Sequence, residues 1–133
     1  MPFPLDVKFV DEAQNELNVI FPKVFVQKML EENGGEVSTE DDDWTLYPIL
    51  DKTDNKRISR TCNHIGLETQ KAKEWATFPE TAIAIGTNGY GDQLILLPDK
   101  AENRKFQEAI YVWQHETGET TKVADNILEL FDI

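Results

Sequence analysis

Only a few residues in this chain carry types suited to chemistry. Cys62 and His64 stand two apart, and Asp92 and His115 are further polar candidates. A structural zinc site needs about four Cys, His or carboxylate ligands, typically in close-spaced pairs such as C-x-x-C. Cys62 is the single cysteine and no H-x-x-x-H occurs, so zinc ligation is not expected. Asp41, Asp42 and Asp43 lack the alternation and central glycine of a calcium loop. Nucleophilic catalysis has equally little support. The only serines, Ser38 and Ser59, lie outside any G-x-S-x-G elbow, and Cys62 falls on what reads as an apolar helical stripe, the setting of a small core residue. Gly86-x-Asn88-Gly89-x-Gly91 is reminiscent of a phosphate loop, but a strand rather than a helix follows it, and the Asp92 carboxylate would repel phosphate. The glycines are better read as turn formers. Asp92 and His115 are then bracing residues, with a small-molecule or catalytic role as the alternative.

The elements that must position these residues follow from pattern. Val10, Ala13 and Leu17 predict a helix over residues 8–17. Pro22 suits the first turn of a second helix, over residues 22–32, whose stripe is Phe25, Val26, Met29 and Leu30. Asn33-Gly34-Gly35 stops it. An acidic loop leads to a strand beginning at Trp44, with Pro48 favouring an edge or a strand end. Residues 57–76 read as a helix, with a break possible at Gly66. Residues 81–86 and 93–97 form a hairpin around the glycine-rich turn, and residues 109–115 a further strand. Val123, Ile127, Leu130 and Phe131 predict a C-terminal helix. Trp44, Trp75 and Trp113 are expected mainly in the core. The order α-α-β-α-β-β-β-α indicates an α+β fold, with helices packed on a central, mostly antiparallel β-sheet. With 133 residues and 40% hydrophobic content, the chain reads as a single domain over residues 1–133.

Charge narrows the partners. Asp and Glu number 25 against 13 Lys and Arg, a net charge of −12. Residues 1–50 hold 11 acids and 3 bases, whereas residues 51–79 hold 4 acids and 6 bases. Glu31, Glu32, Glu36, Glu40, Asp41, Asp42 and Asp43 follow one another with no intervening base. Direct nucleic-acid binding and an anionic membrane surface are disfavoured. The run is either a solvated loop that aids solubility or a docking surface for a basic partner. One cysteine, no apolar run of membrane-spanning length and no secretory leader lead to the expectation of a cytoplasmic protein.

Taken in order, these motifs resemble the SUKH superfamily, also called the Smi/Knr family. The resemblance runs through Phe21-Pro22, the amphipathic helix and Asn33-Gly34-Gly35, then Trp44 to Pro48. It continues through Gly86-Thr87-Asn88-Gly89-Tyr90-Gly91-Asp92, through Trp113 and His115, and into residues 123–131. Lys23-Val24 departs from the acidic-aromatic pair expected after the first proline, and residues 51–79 match no family motif. The resemblance implies helices against a largely antiparallel sheet. It implies a non-enzymatic bacterial immunity protein that neutralises a polymorphic toxin, often a nuclease, or alternatively a regulatory scaffold. No cofactor is implied. The acidic run would then be the partner-binding surface for a basic toxin domain, and Pro22, Asn33, Gly34, Gly35, Trp44, Gly86, Asn88, Gly89, Gly91, Asp92, Trp113 and His115 would build the scaffold.

Overall fold

A computed structural model describes residues 3–102 and 104–132. The chain opens with helix α1 (Val7–Leu17). The Asp6 carboxylate accepts from the Lys8 N–H to begin it, and Asn18, in the left-handed region at φ 57°, ends it. Helix α2 (Lys23–Glu31) follows with Pro22 at its N-cap, a residue with no side chain that can cap. The missing acceptor comes from far along the chain: Glu108 Oε2 accepts from the Val24 N–H at 3.1 Å. Phe25 and Met29 bury the inner face of α2.

Beyond α2, strands β1 (Gly35–Ser38) and β2 (Asp43–Leu46) form a hairpin. The acidic run is therefore not one loop: Glu36 lies within β1, and only residues 39–42 form the turn. Val37 pairs with Trp44, and alternation turns Trp44 and Leu46 inward while Asp43 and Thr45 face solvent. The strand stops at Leu46, short of Pro48, as a proline without an N–H requires. Asn33 then takes over from strand pairing. Buried beside Ile49, its side chain donates to the Ile49 carbonyl at 2.7 Å and accepts from the Ile49 N–H at 2.8 Å. The amide thus imitates a paired peptide.

Helices α3 (Asn55–Arg60) and α4 (Ile65–Ala72) replace the single helix expected over residues 57–76. The break falls before Gly66, at residues 61–64, because His64 ends the irregular stretch as the N-cap of α4, accepting from the Leu67 N–H. Cys62 lies in that break and is exposed, which corrects its assignment to the core. Thr69 of α4 is buried and accepts from the Ala84 N–H at 3.0 Å, fixing α4 on the sheet.

Strands β3 (Ile83–Thr87), β4 (Gln93–Leu96), β5 (Ile110–Trp113) and β6 (Thr120–Ala124) complete a meander. The sheet order is β6-β5-β4-β3-β2-β1-β7, where β7 is Phe131–Asp132, and every neighbouring pair is antiparallel. The sheet accordingly has an α+β, antiparallel architecture. The central strands β3 and β4 are buried almost throughout. Gly86 sits where β2 comes nearest: a Cβ there would lie 2.9 Å from the Thr45 carbonyl oxygen. The C-terminal helix is absent. Thr120 and Thr121 are branched at Cβ and pair with β5, Val123 is the extra residue of a bulge, and Asn126 Oδ1 caps a single 3-10 turn (Ile127–Glu129) before β7. Ile127 and Leu130 still reach the core, as their apolar character demands.

Replacing Asn33 with alanine leaves both backbone groups of Ile49 buried without partners. The expected loss is about 2–4 kcal/mol, seen as a lower urea midpoint with an unchanged slope; a midpoint within error of the parent would contradict the role given to this amide.

Candidate functional site

In an antiparallel meander alternate turns emerge at the same end of the sheet. The turns β1–β2 (residues 39–42), β3–β4 (residues 88–92) and β5–β6 (residues 114–119) consequently meet. Thr39 closes the first, its N–H donating to the Asp42 carbonyl at 2.9 Å, while its hydroxyl accepts from Trp44 Nε1 at 3.1 Å. Asn88 reaches outward from the second. Its Nδ2 donates to Asp42 Oδ2 at 2.8 Å and to Asp92 Oδ2 at 3.1 Å, and its Oδ1 accepts from the Tyr90 N–H. Asp92 Oδ1 turns to the third element, accepting from the His115 N–H at 3.1 Å and contacting His115 Nδ1 at 2.7 Å. With Asp92 ionised, Nδ1 carries the proton and donates. One polar chain, Asp42–Asn88–Asp92–His115, therefore fastens three turns together.

Packing requires the glycine beside it. Gly91 has φ +103°, and a Cβ there would fall 3.0 Å from His115 Nδ1, so any side chain both strains the turn and displaces the imidazole. On its other side the imidazole meets the edge of Trp75, with ring centroids 5.7 Å apart. Trp75 also packs edge-on against fully buried Trp113, and Phe78 closes the group. Trp44 and Trp113 are core residues, whereas Trp75 is 52% exposed. It covers Trp113 and His115 from outside rather than joining the interior.

Two open clefts flank the polar chain. One of about 430 Å³ lies over Asn88, Tyr90, His115 and Glu116. The other, about 440 Å³, has Trp44, Val112, Val123 and Leu130 among its apolar walls and Glu40, Asp41, Asp42, Asp92 and Glu129 among its acidic ones. A third crevice, between α1 and α4 beside His64, offers about 20 Å³, space for a single water. Among the described residues no group of three or more His, Cys, Asp or Glu side chains is placed to hold a metal ion.

The seven acidic candidates do not act as one group. Glu40 and Asp41 project from the turn and Asp43 from the start of β2, all exposed. Asp42 is half-buried and engaged with Asn88. Glu31 and Glu32 lie at the C-terminal end of α2, at the opposite end of β1. A basic cluster was missed by motif reasoning. Lys56, Arg57 and Arg60 of α3 all lie over the Phe3 ring, with Arg57 nearest at 4.5 Å. Its one signal in the sequence is the excess of bases over residues 51–79.

Partial burial would by itself raise the Asp92 carboxyl. The hydrogen bonds from the His115 side chain and backbone and from Asn88 outweigh it, holding the carboxyl below its ordinary value. A depressed carboxyl stabilises the fold fully above the unfolded value near 3.9, and that contribution disappears as pH falls through the lower folded value. At about pH 6, Asp92→Asn should cost about 1–3 kcal/mol. The gap to the parent chain should narrow in urea titrations taken from about pH 4 downward; a gap that stays constant would show that ionised Asp92 is not what holds the turns.

Among the described residues no helix is long and apolar enough to cross a membrane. No curated protein and no solved structure gives a significant match to the chain. A family model does, over residues 4–133, which takes in the second-helix motif, the three joined turns and the C-terminal strand. The chain belongs to the SMI1/KNR4 family (SUKH-1).

Proposed function

We propose that this chain is a non-enzymatic, cytoplasmic protein-binding domain of the bacterial immunity type, which neutralises a basic toxin domain through the turn end of its sheet. The observation that carries this reading is a rigid turn end with exposed acids. Glu40, Asp41 and Asp43 stand on a hairpin that Asn88 fixes through Asp42. Fixed charges steer a basic partner and pay little ordering entropy on binding. Asp92 favours a bracing role over a catalytic one, because both its oxygens already accept hydrogen bonds from neighbouring turns. A nuclease toxin suits this surface, since its phosphate-binding groove would be lined by bases.

The test uses the product of the gene adjacent to this one as partner. In the triple variant Glu40→Gln, Asp41→Asn, Asp43→Asn, Asp42 is kept because it holds Asn88. Folding should be unchanged, and association at low ionic strength should slow about tenfold with a flattened salt dependence. Unaltered association at low salt would remove the acidic end as the interface. Binding without rescue of growth on co-expression would favour the regulatory scaffold over immunity.

A further inference from the structure

The sheet ends on one side in β7, which is only two residues long, and on the other in β6, with five. Residues 120–123 of β6 are all exposed, and among the described residues no strand lies outside them. Register determines which backbone groups are available there. The Gln114 N–H donates to the Glu119 carbonyl at 2.9 Å, so that pair is hydrogen-bonded. Alternation along Trp113–Thr120, Val112–Thr121 and Tyr111–Lys122 then directs the N–H and C=O of Thr120 and Lys122 away from β5. Exposed edges of this kind are usually guarded by lysines that project across them, by proline or by a bulge, and the bulge in β6, at Val123, lies beyond Thr120–Lys122. Here the one lysine is drawn aside: Lys122 Nζ lies 2.6 Å from Asp125 Oδ1.

We propose that β6 is a docking edge at which an extended, basic segment of a protein partner adds to the sheet as an outer strand. The 440 Å³ cleft borders this edge through Thr121 and Val123, with Trp44 and Leu130 as apolar floor. A strand laid along β6 gains backbone hydrogen bonds from Thr120 and Lys122 and places alternate side chains over that floor. The sign of the occupant follows from charge. Glu119, Asp125 and Glu129 surround the edge of a chain with net charge −12, which repels a second copy and attracts lysines or arginines. This deepens the binding reading above and rests on it only for the partner being a protein.

The probe is an acetylated, amidated nonapeptide of alternating lysine and valine, titrated into the full chain at low ionic strength and followed by amide hydrogen exchange. The Thr120 and Lys122 amides, open to exchange in the chain alone, should gain about tenfold protection or more at saturation. Lys122→Pro removes an outward N–H without touching the ladder to β5, and it makes the chain more negative. Lys122→Gln makes the same charge change and keeps the N–H. The proline variant should bind about tenfold more weakly than the glutamine variant. Equal binding by the two, saturation without protection of these amides, or no saturable binding would each overturn the proposal. So would concentration-dependent protection in the chain alone, which would make a second copy the occupant. The two readings separate cleanly with the adjacent-gene partner. Loss of association in the Glu40, Asp41, Asp43 triple variant but not in Lys122→Pro would retain the acidic surface and discard the edge; the reverse would retain the edge and discard the acidic turn.

Discussion

The Asp92 carboxylate has its two oxygens committed in opposite directions, one to Asn88 and one to His115, and the whole turn end depends on that division. Antiparallel topology brings three turns to one end, yet strands do not fix how their loops sit relative to one another. Asp92 supplies that fix because a carboxylate accepts from several donors at once, and its charge strengthens each bond. Asn88 extends the link, since its amide donates to two carboxylates that would otherwise repel. Removing Asn88 would leave the Asp42 and Asp92 carboxylates facing each other with no donor between them.

This node also explains why particular neighbours are small or aromatic. Gly91 is the position where backbone passes the imidazole at a distance that excludes a Cβ. His115 must present Nδ1 to Asp92, and Trp75 holds the ring on its outer side. Trp113, one of the largest fully buried side chains, anchors the same strand and donates its Nε1–H to the Thr77 carbonyl at 3.1 Å. A surface tryptophan thus packs against both the imidazole of a polar contact and a core residue. Its edge contact with the imidazole restricts the ring to the orientation that meets Asp92.

The legible parts of the sequence were those where a residue type has one conformational use. Pro22 marked the start of α2, Asn33-Gly34-Gly35 its end, and the glycine-rich turn ending at Asp92 the central hairpin. Apolar spacing placed Phe25, Met29 and Trp113 correctly in the core. Spacing misled where an apolar period agreed with a helix by coincidence. Val123, Ile127 and Leu130 match a helical stripe, but β-branched Thr120 and Thr121 pair with β5, and Asn126 then permits only a short turn. Cys62 matched a stripe across a segment that His64 divides in two. The hairpin inside the acidic run was hidden because Glu36, Asp43 and Thr45 occupy the solvent face, leaving only Val37, Trp44 and Leu46 as a strand signal. Long-range partners, such as Glu108 for the N-terminus of α2 or Asp42 for Asn88, leave no trace in local pattern at all.

Charge distribution follows from the same topology. β2 runs from the acidic turn toward the opposite end of the sheet, and the chain continues past Pro48 to α3, whose Lys56, Arg57 and Arg60 gather over Phe3. The Phe3 carbonyl in turn accepts from the Asn33 N–H, just before β1, so the basic cluster is tied to the end remote from Glu40, Asp41 and Asp43, an end it shares with Glu31 and Glu32. A molecule with net charge −12 therefore carries its charge unevenly, its bases gathered in α3 and exposed acids at the turn end. Uniform charge would attract a basic partner to any face. For the basic partner proposed above, an uneven distribution would favour approach at the turn end over approach at the end where Lys56, Arg57 and Arg60 stand. Orientation at long range is lost at contact if the receiving surface rearranges. In that proposal the hydrogen bonds through Asn88 and Asp92 would hold the receiving turns in place, so that the charge could select an encounter geometry and not merely speed collisions.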